Sequence, residues 1–302
     1  MNGLIIFGLL VLLMLTGMPI SIALGLTVLS FIFGFTDVPV QSVALKLFTG
    51  IEKFEIMAIP FFILAGNFLT HGGVARRMIN FATSMVGHLR GGLGMSAVLA
   101  CALFAAVSGS SPATVVAIGS ILIPAMIKQG YPLRFGAGVV ASAGGLGILI
   151  PPSIVMVMYS VTTNTSVGAL FMAGVIPGLL LAFMLGLCTW YVARKNNYPT
   201  LPRTSWTKRV KHFRKAFWGL MLIVVVMGGI YSGMFTPTEA AAMSAVYAFF
   251  IAVFVYKDLS FKQIPRVLLD SANMSAMLLL IIASAVLFSF TLTSEQIPQR
   301  IA

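Results

Sequence analysis

Two short stretches that interrupt apolar segments carry the residues best suited to bind an ion. Residues 108–114 read Ser-Gly-Ser-Ser-Pro-Ala-Thr and offer four hydroxyl groups, and residues 144–153 offer glycines, two consecutive prolines and Ser153. Because a proline nitrogen carries no hydrogen, it frees carbonyl oxygens in the preceding turn. Hydroxyl and carbonyl oxygens are the ligands that hard cations prefer. The two stretches together predict a sodium site, with a helix N-terminus nearby that suits an anionic group.

Each of these features also has a purely structural interpretation. Small residues at 108–114 are typical of a close helix packing surface, and Pro151 and Pro152 can act as a mechanical kink. Glu239 follows Thr-Pro-Thr in an apolar segment. An acid at that depth is a candidate functional residue, and it equally suits a cap of the helix that begins after Pro237. Both interpretations of each feature stay open at the level of the sequence.

Catalytic constellations are missing from the apolar segments. A serine nucleophile at this depth needs a histidine base beside it, and His71, His88 and His212 all lie at segment ends. The sequence has no pair of intramembrane aspartates and no P-loop. Cys101 and Cys188 are isolated and indicate neither a disulfide framework nor a metal site. The sequence therefore predicts neither an enzyme nor a cofactor, apart from sodium as a coupling ion.

The composition requires that these stretches lie in a lipid bilayer. Hydrophobic residues make up 59% of the 302 and charged residues only 9%, whereas soluble domains carry about 25% charged residues. The net charge of +12 does not indicate nucleic-acid binding, because the basic residues cluster between apolar runs, as they do in cytoplasmic loops. The sequence thus predicts an all-α polytopic membrane protein in contact with membrane lipid.

The charge pattern divides the chain into segments, since a transmembrane helix needs about 20 apolar residues. Residues 1–36 lack charge but contain Gly17-Met18-Pro19, so we expect a broken or strongly tilted first helix. Segments 37–55 and 74–89 are amphipathic and predict helices that lie in the membrane interface. Crossings are predicted at 56–70, twice within 135–193, and at about 216–234, 239–256 and 268–293.

Charge-free residues 91–127 predict a re-entrant hairpin whose tip is the Ser-Gly-Ser-Ser-Pro stretch. The basic loop 194–215 carries eight Lys and Arg residues and no acid, which places it in the cytoplasm. Crossings counted from this loop put every basic cluster on the cytoplasmic side only if the hairpin enters and leaves by the same face. Arg90 and Lys128 are then both cytoplasmic, and a broken helix follows at 135–162.

Residues 57–79 and 275–302 share one pattern, an apolar helix followed by polar residues and an amphipathic piece. The counted topology runs the two copies in opposite directions, and inverted repeats of this kind are typical of secondary transporters. The predicted organisation is a scaffold segment at 1–55, a first repeat at 56–193, the basic loop, and the start of a second repeat at 216–302.

Four motifs, in matching order, resemble those of the large membrane subunit of tripartite ATP-independent periplasmic (TRAP) transporters. They are Met57-Ala-Ile-Pro-Phe-Phe-Ile-Leu-Ala-Gly66, Ser108-Gly-Ser-Ser-Pro-Ala-Thr114, Gly147-Ile-Leu-Ile-Pro-Pro-Ser153 and Gly233-Met-Phe-Thr-Pro-Thr-Glu-Ala-Ala-Ala242. The similarity extends along the whole chain. The resemblance implies a bacterial or archaeal inner-membrane protein that takes up organic acids, such as C4-dicarboxylates or sialic acid, by sodium symport.

The resemblance also implies a fold, partners and a set of site residues. The fold is an elevator-type ion transporter with inverted repeats, in which the first hairpin and a neighbouring broken helix hold sodium. The partners are a small membrane subunit (DctQ-like) and a periplasmic substrate-binding protein (DctP-like). The ion- or substrate-binding candidates that the resemblance implies are Ser108, Gly109, Ser110, Ser111, Pro112, Gly145, Gly147 and Pro151. The sequence pattern adds Thr114, Pro152 and Glu239 as candidates. The sodium candidates among them are Ser108, Ser110, Ser111, Gly145 and Gly147.

Members of this family are longer than this chain, and residue 302 corresponds by the repeat to a point just before a second hairpin. The second repeat is therefore expected to be incomplete, as in a fragment or the product of a truncated gene, and such a chain is not expected to catalyse uptake. A non-transporting membrane fragment and a channel-like scaffold are the alternative functions. A channel needs a continuous polar stripe, and no predicted helix has one.

Overall fold

The computed structural model describes residues 2–36, 39–297 and 299, and these residues form α-helices and connecting turns without any β-strand. The prediction of an all-α polytopic membrane protein is confirmed. Asp37 of the predicted interfacial segment lies outside the described residues. So do Pro298 and Arg300 of the predicted second repeat, together with Met1 and the last two residues.

Fourteen helices occur in the described part of the chain. They are α1 (Asn2–Leu15), α2 (Ile20–Phe35), α3 (Val40–Thr49), α4 (Ala58–His71), α5 (Val74–Val86), α6 (Gly92–Ser108), α7 (Ser111–Lys128), α8 (Leu133–Gly144), α9 (Leu146–Leu149), α10 (Ile154–Thr163), α11 (Val167–Lys195), α12 (Trp206–Tyr231), α13 (Pro237–Phe250) and α14 (Ile264–Ser294). A π-helical turn, Ile251–Val255, extends α13. The chain forms two compact units, of which one comprises Met57–Ala272 and the other comprises the residues on either side.

The unit that holds the chain ends is built from α1, α2, α3 and the second part of α14. Gly17, with a φ of 81°, and Pro19 separate α1 from α2, so the predicted break in the first helix is confirmed. Val28 and Ile32 of α2 pack with Val43 and Leu287 in a buried cluster. This cluster holds the apolar face of α3. That α3 lies in the membrane interface stays a prediction.

The other unit contains most of the segments long enough to cross a membrane in one piece, and α14 runs through both units. In the described part of the chain, six helical segments are long and apolar enough to cross, and a seventh is added if the bent pair Leu133–Leu149 and Ile154–Thr163 counts as one span. The two members of that pair meet at 44°. The break lies at the predicted glycines and prolines, so the broken helix after the hairpin is confirmed.

Helices α6 and α7 form a hairpin, because only two residues separate them and they pack against each other. They contain 17 and 18 residues, which corresponds to lengths of about 25 and 27 Å, slightly less than the apolar thickness of about 30 Å. The hairpin itself is confirmed, with α7 ending one residue later than predicted. That the hairpin enters and leaves the membrane by the same face stays a prediction, since α7 alone is also long and apolar enough to cross.

The re-entrant placement makes a labelling prediction. Cysteines introduced at Arg90 and Lys128 should both resist a membrane-impermeant thiol reagent added to sealed, correctly oriented cells, because both ends of the hairpin then face the cytoplasm. Cys101 and Cys188 are replaced with Ala beforehand, since Cys188 is exposed. A cysteine in the turn at Asn164 serves as the control that the reagent should reach. Labelling at one hairpin end alone would show that α6 and α7 together cross the membrane an odd number of times.

The segment predicted as a basic loop is shorter in the structure. Helix α11 continues to Lys195 and α12 begins at Trp206, so a loop remains only between them and the predicted loop is wrong for residues 206–215. The residues from 206 to 215 contain neither Gly nor Pro, and Lys and Arg are good helix formers. The basic residues therefore extend the apolar helix that follows. Their cytoplasmic location stays a prediction.

Helix α4 packs closely on α13 because α13 presents small side chains. Ala240, Ala241, Ala245 and Ala248 are all buried, and small residues allow helix backbones in membranes to approach each other. Gly72, at the end of α4, faces Ala252 so closely that a Cβ on Gly72 would lie 3.0 Å from the Ala252 Cα atom. This contact holds the end of α4 against the extension of α13.

Arg77 connects the start of α5 with the segment after α13. Its guanidinium forms an ion pair with Asp258 and donates a hydrogen bond of 3.0 Å to the Gly73 carbonyl. It also lies 3.9 Å from the centre of the Tyr256 ring. Tyr256 in turn donates a 2.6 Å hydrogen bond to the carbonyl of Lys215 on α12. Three helical segments are thereby joined around one arginine.

Replacement of Arg77 with Ala should lower the free energy of unfolding by about 2 kcal/mol. Most of this loss comes from the hydrogen bond, because a charged donor contributes more to stability than a neutral one. The partly exposed ion pair with Asp258 adds little. Arg76→Ala is the matched control, since Arg76 is exposed on the same helix. Thermal unfolding of the purified variants measures the difference. Equal melting temperatures for the two variants would contradict a stabilising role for the Arg77 contacts.

Candidate functional site

The hairpin tip is a tight turn that the sequence specifies residue by residue. Gly109, directly after α6, has a φ of 61°, and its N–H donates to the Ala105 carbonyl at 2.9 Å. Glycine is the usual residue at such a left-handed helix end. Ser110 is extended, and Pro112 lies in the first turn of α7, where a missing N–H costs no helical hydrogen bond. The chain therefore reverses direction within two residues.

Three oxygen atoms of the tip form a buried cluster. Thr114 Oγ1 donates to the Ser110 carbonyl at 2.8 Å and lies 3.1 Å from Ser108 Oγ. Since the Thr114 proton is directed to the carbonyl, Ser108 supplies the proton between the two hydroxyls. The Ser108 and Thr114 side chains are both buried. These two hydroxyls thus point into the protein.

The break in the second segment contacts this tip directly. The Ile154 N–H donates to the Gly109 carbonyl at 3.1 Å. A Cβ on Gly109 would lie 2.8 Å from the Pro152 carbonyl oxygen, and a Cβ on Gly147 would lie 2.8 Å from the Ser111 nitrogen. Both glycines are therefore required for the approach of the two backbones. The structure brings the two predicted stretches into direct contact.

Oxygen atoms without a partner are present at this junction. The side-chain oxygens of Ser153 and Ser111 are buried and lack a hydrogen-bond partner among the described residues, and Ser153 is completely buried. Pro151 and Pro152 have no N–H, so they cannot bond to the carbonyls four residues earlier, as a continuous helix would require. A buried hydroxyl without a partner costs about 1–3 kcal/mol. A cation would satisfy these oxygens.

The junction suits a monovalent cation better than a transition metal. Among the described residues, no group of three His, Cys, Asp or Glu side chains is placed to hold a metal ion. The available ligands are neutral hydroxyl and carbonyl oxygens, which hard cations accept. The carbonyl ends of α6 and α9 carry partial negative charge, and the N-termini of α7 and α10 carry partial positive charge. The junction therefore combines elements that suit a cation and an anionic group.

Glu239 is placed differently from the other candidates. It lies in the first turn of α13, where its Oε2 accepts hydrogen bonds from the Thr236 N–H and hydroxyl, both at 2.8 Å. The Glu239 N–H bonds back to the Thr236 hydroxyl at 3.3 Å. This reciprocal arrangement is a capping box, which the sequence analysis left open. A site role for Glu239 stays a prediction, and no described hydrogen bond joins it to the hairpin tip.

Two residues of the junction were absent from the list of candidate residues, although Ser153 belongs to the second predicted stretch. Ser153 ends the Pro-Pro-Ser motif, and its extended backbone just before α10 matches that of Ser110 before α7, with φ of −133° in both. Gly66 of α4 lies under the tip, since a Cβ there would be 3.2 Å from the Ser108 carbonyl oxygen. The parallel between Ser-Pro at the tip and Pro-Ser at the break is the sequence signal for Ser153. Gly66 has no local signal beyond its place in the first motif.

Comparison with known proteins identifies the family. The family model described as "Tripartite ATP-independent periplasmic transporter, DctM component" matches residues 7–302. The chain is 70% identical to a C4-dicarboxylate TRAP transporter large permease protein DctM of Rhodobacter capsulatus, covering 100% of this chain and 72% of that protein. It is 57% identical to the protein of that name from Pseudomonas aeruginosa, over 93% of this chain and 66% of the relative.

A more distant relative carries a different substrate in its name. The sialic acid TRAP transporter large permease protein SiaM of Vibrio cholerae is 38% identical over 96% of this chain and 68% of its own length. This chain thus spans about two thirds to three quarters of these three relatives. Because the family model matches nearly the whole chain, the chain belongs to the DctM family of TRAP transporter large permeases and is a multi-pass transport protein of the inner membrane, not an enzyme.

Proposed function

We propose that this chain is the membrane-embedded permease subunit of a sodium-coupled secondary transporter that imports organic acids. The observation that carries the proposal is the junction of the hairpin tip with the broken helix. There, a hydrogen bond of 3.1 Å joins the Ile154 N–H to the Gly109 carbonyl, and the buried Ser153 hydroxyl has no partner among the described residues. An oxygen-lined junction of this kind can alternate between sodium-bound and sodium-free states.

The proposed substrates are C4-dicarboxylates. The two most similar relatives named above are C4-dicarboxylate permeases, at 70% and 57% identity, whereas the sialic acid relative is at 38%. The N-termini of α7 and α10 meet at the junction and favour a carboxylate close to the sodium ion. Sodium and a carboxylate would then stabilise each other's binding, which is the physical basis of coupling.

The proposed partners are a small membrane subunit and a periplasmic substrate-binding protein, because the family is tripartite. The proposed mechanism is an elevator built on inverted repeats. Its support is a turn that occurs twice, once after α4 and once after α14. Each turn has two residues, and the second of them has a left-handed backbone: the φ angle is 67° at Gly73 and 54° at Gln296. The two copies of the predicted repeat thus share one turn geometry.

The test is uptake of labelled succinate in vesicles under defined ion gradients. The complete system contains the binding protein, the small subunit and this chain extended by the C-terminal portion of a longer relative. An inward sodium gradient should drive accumulation, and an equal potassium gradient should not. Unlabelled fumarate should compete, and sialic acid should not. Accumulation that is independent of sodium would refute the coupling, and competition by sialic acid alone would refute the assigned substrate class.

A further inference from the structure

An apolar groove runs along the outside of the hairpin, between α6 and α11, away from the ion junction. Its volume is about 450 Å³. Val98 and Ala102 of α6 form one wall, and Ala182, Gly186 and Trp190 of α11 form part of the other. From Ala182 to Trp190 the groove follows α11 for about 12 Å. That length is most of the depth of one lipid leaflet, which is about 15 Å.

Gly186 keeps the groove open. A Cβ at this position would meet nothing within 4 Å, so the glycine is not required for contact with another helix. Glycine in the middle of a helix costs about 1 kcal/mol relative to alanine. Phe183 and Leu187, on either side, are exposed. The wall of α11 is therefore apolar and open, as is expected for contact with a hydrocarbon chain.

Basic residues lie at one end of the groove. The Arg194 guanidinium lies 5.3 Å from the centre of the Trp190 ring. The segment that carries Arg90 approaches the same turn of α11, since a Cβ on Gly91 would lie 3.7 Å from both the Ala193 Cα atom and the Thr189 carbonyl oxygen. Arg90 and Arg194 are both exposed. Two cationic side chains thus come from neighbouring backbone segments at the mouth of the groove.

The segment of sequence that contains Arg90 and Arg194 has no carboxylate that could neutralise them. Residues 56–238 contain no Asp or Glu, and Asp258, the next acid after Glu239, forms its ion pair with Arg77. Anionic lipid attracts basic side chains near the membrane surface, and Trp is favoured at the level of the headgroups. We propose that this groove binds an anionic phospholipid, with an acyl chain between α6 and α11 and the phosphate at Arg90 and Arg194.

The bound lipid would act as a filler between the hairpin and α11. Helix α6 carries one arm of the ion junction, so a lipid that packs against both α6 and α11 stabilises that arm. The proposal does not depend on the transported substrate or on sodium coupling. It predicts a preference for anionic over zwitterionic lipid at one place on the protein surface.

The experiment uses Trp190 as the reporter, because it lines the groove. Trp206 and Trp218 are replaced with Phe, and the chain is reconstituted into phosphatidylcholine vesicles that contain a minor fraction of lipid with brominated acyl chains. Brominated phosphatidylglycerol should quench Trp190 more than the same fraction of brominated phosphatidylcholine. Arg194→Gln should reduce the preference by about fivefold, as expected for the loss of one surface cation.

Gly186→Leu should fill the groove and abolish the preference, and it should fold because leucine favours helix and has open space there. Gly228→Leu on α12 is the matched control, since a Cβ at that exposed glycine also meets nothing within 4 Å, and it should retain the preference. Equal quenching by the two lipids in the parent protein would overturn the proposal. So would quenching that the purified small membrane subunit abolishes, because the groove would then be a protein interface.

Discussion

Gly147→Ala is expected to separate the hairpin tip from the broken helix and to raise the half-saturating sodium concentration by about tenfold or more. A Cβ at this position would lie 2.8 Å from the Ser111 nitrogen, 2.9 Å from the Ser110 carbonyl carbon and 3.1 Å from the Ser111 Cα atom. All three atoms belong to the backbone, so no side-chain rotation relieves the collision. Overpacking of this kind costs about 1–3 kcal/mol, which corresponds to about 5- to 150-fold in a binding constant.

The measurement is sodium-dependent uptake by the complete transporter, together with the melting temperature of the purified subunit at increasing sodium concentration. Gly138→Ala is the matched control, because Gly138 lies on α8 of the same bent helix, is exposed, and a Cβ there would meet nothing within 4 Å. It should leave the sodium dependence unchanged and can raise the stability, since alanine favours helix. Parental sodium dependence in Gly147→Ala would show that the close approach at Ser111 is not needed for ion binding.

The helical segments could be predicted from the sequence because each long apolar run requires an internally hydrogen-bonded helix in lipid. Charge-free runs, Gly17-Met18-Pro19 and the Pro151-Pro152 pair locate the helices and their breaks, and the structure places them accordingly. The boundary at residues 206–215 was wrong because charge patterning indicates which residues remain in water, not where a helix begins. One helix can begin with basic residues and continue as an apolar segment, as α12 does.

The site could be predicted only as two separate stretches. Hydroxyls, glycines and prolines mark residues 108–114 and 144–153 as unusual within lipid. Sequence spacing does not predict the hydrogen bond from the Ile154 N–H to the Gly109 carbonyl. Nor does it predict which hydroxyls find a partner. The Ser108 and Thr114 hydroxyls bond to each other, whereas the Ser153 hydroxyl is buried without a partner among the described residues. The contacts between the two stretches span about 40 residues and are set by helix packing. The hydrogen bonds of Glu239 are local, because the Thr236 hydroxyl donates to its carboxylate, and a site role for Glu239 stays a prediction.

Ser153→Ala is the change that best separates an ion ligand from a packing residue. In the absence of sodium, the variant should be as stable as the parent protein or more stable, by up to about 1–3 kcal/mol, because the substitution removes a buried hydroxyl that lacks a partner among the described residues. In the presence of sodium, the order should reverse. If the hydroxyl ligates the ion, the variant loses one oxygen of the shell, and the half-saturating sodium concentration should rise by about tenfold.

Thermal unfolding of the purified subunit across a sodium series, with choline replacing sodium at constant ionic strength, measures both effects, since a ligand that binds only the folded state raises its stability. Ser108→Ala should behave differently. It breaks the 3.1 Å contact with Thr114 and should therefore lower stability even without sodium, in addition to weakening sodium binding. Ser142→Ala, at an exposed position on α8, should change neither quantity.

A sodium-dependent increase in melting temperature that is the same in Ser153→Ala, Ser111→Ala and the parent protein would remove both unpartnered hydroxyls from the ion shell. The junction would then be a helix packing surface, and the small residues at its tip would serve only to bring α6, α7 and α10 together.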